Sequence, residues 1–258
     1  MASELIQWPK AKYWEKAWNP IIGCKPCSPA CENCYAAAMA KRFGGSFEPH
    51  YSSQAKPPRS GVVFCGNMTD LFGEWLPSFM GMDKFLLDAT EPRNSKATYL
   101  WLTKRLERMC DEISGLPTVL DVATLSNHHF GFTAENQEWY EKRLQLRSAS
   151  GFVWPEWANL WVSCEPLLGP IDLGLMFGNE VVKPKYSWLV VGCESGGKRR
   201  PCKIEWVESI VEQCRKAGVP VFVKQLCLPD GKFTNKIEEF PEHLRIRQVP
   251  WAGKGAAK

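Results

Sequence analysis

Four cysteines fall within eleven residues, Cys24-Lys25-Pro26-Cys27-Ser28-Pro29-Ala30-Cys31-Glu32-Asn33-Cys34, with Tyr35 directly behind them. Thiols this close can share a metal or an iron–sulfur cluster, cross-link in pairs, or lie unused beside one another. Three thiolates on a cluster leave one iron open to a further ligand, whereas four close the site and make an electron carrier. A four-cysteine zinc site is the blander alternative. Its two CxxC pairs would be separated here by only three residues, against ~12 or more in ordinary zinc knuckles. The chain holds eleven cysteines, an odd number, and its start (Met1-Ala2-Ser3-Glu4-Leu5-Ile6-Gln7) lacks the apolar run of a secretory signal. No stretch approaches the ~18 apolar residues of a membrane span. These features predict a cytoplasmic, reducing setting without a membrane, where clustered cysteines point to metal or catalysis before disulfides. The other seven cysteines lie mostly in apolar-patterned strands and helices and read as small buried hydrophobes.

The elements that must hold this loop form a regular series. An alanine-rich run from Tyr35 to Phe43 predicts a helix stopped by Gly44-Gly45. Val62–Cys65, Thr98–Thr103, Phe130–Thr133, Leu160–Cys164, Trp188–Gly192 and Val219–Val223 read as buried strands. Helices are expected from Pro77 to about Asp88, over Leu106 to Ile113 with Gly115 as cap, from Glu135 to Ser150, and from Ile204 to Gly218. Alternation of this kind predicts parallel strands with right-handed crossovers. Six or seven units suggest an α/β fold, a complete or partial TIM-like β/α barrel, although an open doubly wound sheet shares the pattern. The barrel is expected over residues 1–227, with 228–258 as a C-terminal extension. With 45% hydrophobic and 23% charged residues the chain has ample material for a core. Its net charge of +4 is too small to argue for nucleic acid.

The residues just after each strand are the candidates for binding and chemistry, because that end of the strands is the functional face in such folds. They are Gly66-Asn67-Met68-Thr69-Asp70, Lys104-Arg105, Glu135-Asn136, Glu165-Pro166, Glu194-Ser195-Gly196-Gly197 with Lys198-Arg199-Arg200, and Lys224-Gln225. Helix N-termini favour acids anyway, which accounts for about half of the set. It does not account for Lys104, Arg105 and Lys224, so a lined polar mouth is the better reading. The glycine turn before Arg199 and Arg200 can cradle an anion. No HxxxH or HExxH spacing supports a histidine metal site.

Cys27, Cys31 and Cys34 make CxxxCxxC, and the surrounding Trp18-Asn19-Pro20, Gly23-Cys24, Ser28-Pro29 and Cys31-Glu32-Asn33-Cys34-Tyr35-Ala36 resemble the start of a phage-associated, radical-S-adenosylmethionine-like family of unknown function. Later landmarks also correspond: Leu102-Thr103-Lys104-Arg105, Glu135-Asn136-Gln137, Ser163-Cys164-Glu165-Pro166, Gly192-Cys193-Glu194-Ser195-Gly196 and Lys224-Gln225. The likeness spans roughly residues 17 to 227; spore photoproduct lyase-like enzymes are a more distant one. The resemblance implies a radical-type barrel with a 4Fe–4S cluster and S-adenosyl-L-methionine, reductive cleavage of that cofactor, and hydrogen abstraction from a substrate. It implies Cys31 and Cys34 as ligands, with a third from Cys24 in the family register or Cys27 in the bare spacing, Cys24 being favoured. Tyr35, Gly66, Asn67, Asp70, Lys104, Glu135 and Asn136 are then expected at the cofactor, and Glu165, Glu194 and Lys224 in catalysis. The chain departs from the common pattern at Asn33, where many such enzymes carry an aromatic residue, and in lacking Gly-Gly-Glu after the second strand. An external one-electron reductant is implied. A nucleotide or nucleic acid is the leading substrate class, from the phage association and the basic turn Lys198–Arg200. The alternative is a non-catalytic, nucleic-acid-associated protein with a structural zinc or iron–sulfur site.

Overall fold

The computed structural model describes residues 6–76, 82–116, 121–149, 154–155, 158–177, 180–181 and 186–251. Its main sheet has eight strands: β1 Lys16–Trp18, β2 Ser60–Cys65, β3 Lys96–Thr103, β4 His128–Thr133, β5 Asn159–Cys164, β6 Trp188–Gly192, β7 Val221–Cys227 and β8 Phe233–Thr234. Among the described residues, five helices fall between them: α1 Tyr35–Arg42, α2 Met82–Thr90, α3 Leu106–Gly115, α4 Gln137–Ala149 and α5 Ile204–Ala217. The strands stand in the sheet in the order in which the chain makes them, β1 to β8. The β1–β2, β2–β3, β3–β4, β5–β6 and β6–β7 pairs are parallel, and β8 folds back antiparallel on β7.

This order decides between the two arrangements that the sequence pattern shares. A doubly wound sheet reverses its strand order at a switch point, and here no reversal occurs. The fold is a mixed α/β one with a sequentially wound sheet. β1 and β8 are its two edges, and among the described residues they do not pair, so a complete barrel is not what the hydrogen bonding shows. Among the described residues, helices are also fewer than a full set of crossovers requires. Between β5 and β6 the described residues hold a short hairpin, Met176–Phe177 with Glu180–Val181, in place of a helix.

Boundaries shift for local reasons. The strand expected from Phe130 begins at His128, and all six residues of β4 are buried. Trp101 Nε1 donates to His128 Nδ1 at 3.0 Å, and burial pushes His128 down to about 3 and His129 to about 4. Both are neutral core residues, which is why polar-looking His-His belongs to a strand. Helix α4 starts at Gln137 because Asn136 Oδ1 accepts the Trp139 N–H at 3.0 Å, the bond of an N-cap. Gly115 does not cap α3: the helix runs through it and closes at Leu116 in right-handed backbone. Gly218 does end α5 left-handed, at φ +68°. The expected helix start at Pro77 and the end at Ser150 lie outside the described residues.

Contacts divide the chain into two units. One comprises 14–132 and 141–159. Its core stacks Trp101 on His128 and Phe130, with Trp18 edge-on to Trp101 at 6.1 Å and to Phe85 at 5.8 Å. The other comprises 1–13, 133–140 and 160–258. There Tyr13 sits edge-on to Trp161, Trp188 and Phe222 at 5.1–6.1 Å. The segment after β8 is folded into this unit: Gln248–Val249 pairs with Ile6–Gln7, and Phe240, Leu244, Val249 and Trp251 are buried.

Candidate functional site

The cysteine loop leaves β1 through Gly23, and that glycine is required. Its φ is +97°, and a Cβ there would meet the Phe47 carbonyl at 2.7 Å and press on that of Glu48. Gly23 N donates to Met68 O at 3.1 Å, and its carbonyl accepts from Thr69 Oγ1 at 2.6 Å. Cys24 N donates to Phe47 O at 3.1 Å. The base of the loop is thus tied on one side to the turn after β2 and on the other to the segment before the hairpin strand His50–Tyr51. Pro29 then starts one turn of 3₁₀ helix ending at Cys31, and Cys34 is the residue from which α1 begins.

Two further ties hold the loop. Tyr35 Oη donates to the Asn67 carbonyl, while Asn67 Oδ1 accepts from Asn19 Nδ2 at 2.7 Å. Arg105 Nη2 donates to Lys25 O at 3.0 Å, its Nη1 to Asp70 at 3.1 Å and its Nε to Glu74 at 2.7 Å. The guanidinium also lies 4.9 Å from the centre of the Trp75 ring. Burial works against the Arg105 charge, but Glu74, Asp70 and Cys27 outweigh it and hold its pKa above the ordinary value. Asp70, 7% exposed, also accepts from Phe72 N, Thr103 Oγ1 and Lys104 N. Its two oxygens carry four donors in all, so its place in the geometry is to organise the ends of β2 and β3.

All four loop thiols are half-buried and none is in a disulfide. Cys27 donates its S–H toward Cys31, which raises the Cys27 pKa and lowers that of Cys31 to about 5; burial opposes the latter shift and Lys104 assists it. Burial, with the Asp70 charge behind it, pushes Cys24 up to about 11. The set fits an iron–sulfur group in kind: four thiols on one anchored loop, one of them with its pKa drawn below the ordinary thiol value, with cationic side chains nearby. In arrangement the fit is incomplete. Among the described residues no three His, Cys, Asp or Glu side chains converge as metal ligands do.

The candidates after β4 to β7 lie in the second unit. Lys224 Nζ makes an ion pair with Glu165 Oε1 and stands 5.8 Å from the centre of the Tyr13 ring. Gln225 Nε2 donates to the same carboxylate at 3.1 Å and to the Cys193 carbonyl at 2.5 Å. Glu194, 4% exposed, accepts three bonds from Arg200: backbone N at 2.8 Å, Nε at 3.1 Å and Nη2 at 2.5 Å. It closes the glycine turn. Glu135 is fully buried and its carbonyl accepts from Leu168 N at 2.7 Å, while Asn136 caps α4. Gly66, at φ +77°, donates its N–H to Trp18 O at 2.8 Å and so shapes the turn after β2.

Tyr35, Gly66, Asn67, Asp70 and Lys104 are therefore gathered around the thiol loop, in the unit that holds it. Glu165 and Lys224 meet each other in the second unit, and Glu194 pairs with Arg200 rather than with either. Arg105 follows Lys104 at a strand end, and it is Arg105 that Asp70 and Glu74 hold by ion pairs. A family model described as a protein of unknown function, DUF5131, matches residues 9–239. The chain belongs to that family. The DUF5131 match covers the thiol loop, Asp70, Glu165, Glu194 and every main-sheet strand. No curated protein and no solved structure matches the chain.

Proposed function

We propose that this DUF5131 protein is an iron–sulfur enzyme of the radical S-adenosylmethionine type, acting on a nucleotide or nucleic acid. One observation carries the reading: four half-buried thiols, none in a disulfide, sit on a glycine-anchored loop after the first strand of a sequentially wound parallel sheet. Cys31 and Cys34 would hold the cluster with Cys24 as third ligand, and Cys27 is the spare that shares its proton with Cys31. When bound and reduced by an external one-electron donor, the group supplies reductive cleavage of the sulfonium and hydrogen abstraction from substrate.

The chain's own residues do the rest. Arg105 and Gly23 fix the path of the loop, and Lys104 favours the thiolate of Cys31. Tyr35 and Asn67 lock the start of α1 to the turn after β2, where the cofactor's amino group would be received by Gly66, Asn67 and the Asp70 segment. Glu165 and Lys224 form a paired acid and base with Gln225 holding the carboxylate, the arrangement needed to hold or move a proton on a substrate.

Anaerobic reconstitution with ferrous iron and sulfide, followed by dithionite and S-adenosylmethionine, tests this. The expected products are 5′-deoxyadenosine and methionine. A loaded cluster that leaves the cofactor intact would sink the enzyme reading, and bound zinc without sulfide would indicate a structural site. Cys24→Ala should abolish cluster loading while Cys27→Ala retains it. Loss in both would identify a four-cysteine electron carrier.

A further inference from the structure

A second feature lies wholly within the unit that contains β5 to β8. The turn after β6, the first turn of α5 and the loop after β7 border an open pocket of about 520 Å³. That is within the ~300–1,000 Å³ of small-molecule sites. Three cations line it, Arg199, Arg200 and Lys203, against one carboxylate, Glu205. Glu194 meets the charge of Arg200, which leaves Arg199 and Lys203 against Glu205. Arg199 donates one N–H to Gly196 O at 3.1 Å. Its guanidinium stands 5.5 Å from the centre of the Phe233 ring. Gly196 takes φ +100°, which a side chain would strain, and a Cβ at Gly197 would meet nothing within 4 Å. At Gly197 the turn presents open backbone to the pocket. The remainder of the wall is apolar, chiefly Pro201, Ile204 and Leu228.

We propose that this pocket binds a nucleotide, with Arg199 and Lys203 on its phosphate and the Pro201–Leu228 wall against its nucleoside. An anion matches the excess of positive charge, the several oxygens of a phosphate can take Arg199, Lys203 and a glycine amide at once, and the adjoining apolar wall suits a base or sugar. The inference deepens the reading above and rests on it only for calling the nucleotide a substrate; binding itself needs no metal. The thiol of Cys227, half-exposed in the pocket wall, provides an internal reporter.

The test uses metal-free, full-length protein, so its failure is distinct from failure of the cluster. Titration calorimetry with the four ribonucleoside 5′-monophosphates, their nucleosides and inorganic phosphate should show saturable binding of at least one nucleotide. Arg199→Ala and Lys203→Ala should each weaken it about tenfold, the loss of one charge-assisted contact, while Arg199→Lys retains most of the affinity. With nucleotide at about ten times Kd, iodoacetamide alkylation of wild-type Cys227 should slow about tenfold, because only the empty site reacts. The proposal is overturned by absence of nucleotide binding, by equal binding of nucleoside or of inorganic phosphate, by unchanged affinity in both alanine variants, or by an unaltered alkylation rate.

Discussion

At the scale of single residues, the four loop thiols are not equivalent, although the spacing presents them as two similar pairs. Cys31 receives a proton-sharing contact from Cys27 and is drawn down to about 5, whereas burial holds Cys24 up at about 11. A lowered pKa means that the thiolate persists as pH falls until about 5 is crossed. Metal-free protein should therefore alkylate at Cys31 first, with a rate that drops as pH falls through about 5, and Cys24 should stay slow until the solution is strongly alkaline. Cys27→Ala removes the S–H donor, and the Cys31 inflection should move up toward the ordinary thiol value of ~8.5. Peptide-resolved iodoacetamide labelling across pH reads both. An unmoved inflection in Cys27→Ala would show that the Cys27 contact is not the cause.

At the scale of elements, the loop has little hydrogen-bonded structure of its own, one 3₁₀ turn, and depends on the turns after β2 and β3. Arg105 is the centre of that dependence, since it joins Asp70, Glu74 and the Lys25 carbonyl through side chains only 8–9% exposed at Arg105 and Asp70. Arg105→Met keeps most of the apolar stem but leaves the Asp70 carboxylate buried without its cation. Breaking such a pair costs roughly 3–5 kcal/mol. Urea unfolding should show a loss of that order, and reconstituted protein should hold less iron and sulfide. Arg105→Lys should recover part of the stability but not the Lys25 tie, because an ammonium cannot reproduce the fork that reaches three acceptors. Wild-type stability and iron content in Arg105→Met would remove Arg105 from this role.

At the scale of the whole molecule, the ends of the described chain meet. Ile6–Gln7 pairs with Gln248–Val249, Trp8 N donates to Arg247 O at 2.7 Å, and Gln7 Oε1 accepts from Arg247 N at 3.0 Å. Trp251 packs edge-on against Trp8 at 6.4 Å and Trp188 at 4.9 Å. Deleting residues 240–258 strips Phe240, Leu244, Val249 and Trp251 from this unit. At ~1.5–3 kcal/mol for each buried side chain the loss is comparable to the ~5–15 kcal/mol that stabilises a typical domain. The truncated chain should lose its cooperative thermal transition by circular dichroism and become protease-sensitive. A shortened protein that melts like the full chain would show that the segment is only an attachment.

The sequence by itself marked six of the eight main-sheet strands and most helices, because strand–helix alternation and glycine stops are local physics; the short edge strands Lys16–Trp18 and Phe233–Thr234 carry no such pattern. It also marked the thiol loop, whose spacing is local too. Tertiary structure alone decided the strand order, since one pattern of alternation serves both sequential and doubly wound sheets, and only pairing shows that no reversal occurs. It decided that His128 and His129 are core, that Asn136 is a cap and that Glu194 is held by Arg200. Which of Lys104 and Arg105 turns inward could not be read from their adjacency. It depends on Asp70 and Glu74, which lie more than thirty residues back in the chain and come near only when β2 and β3 pair.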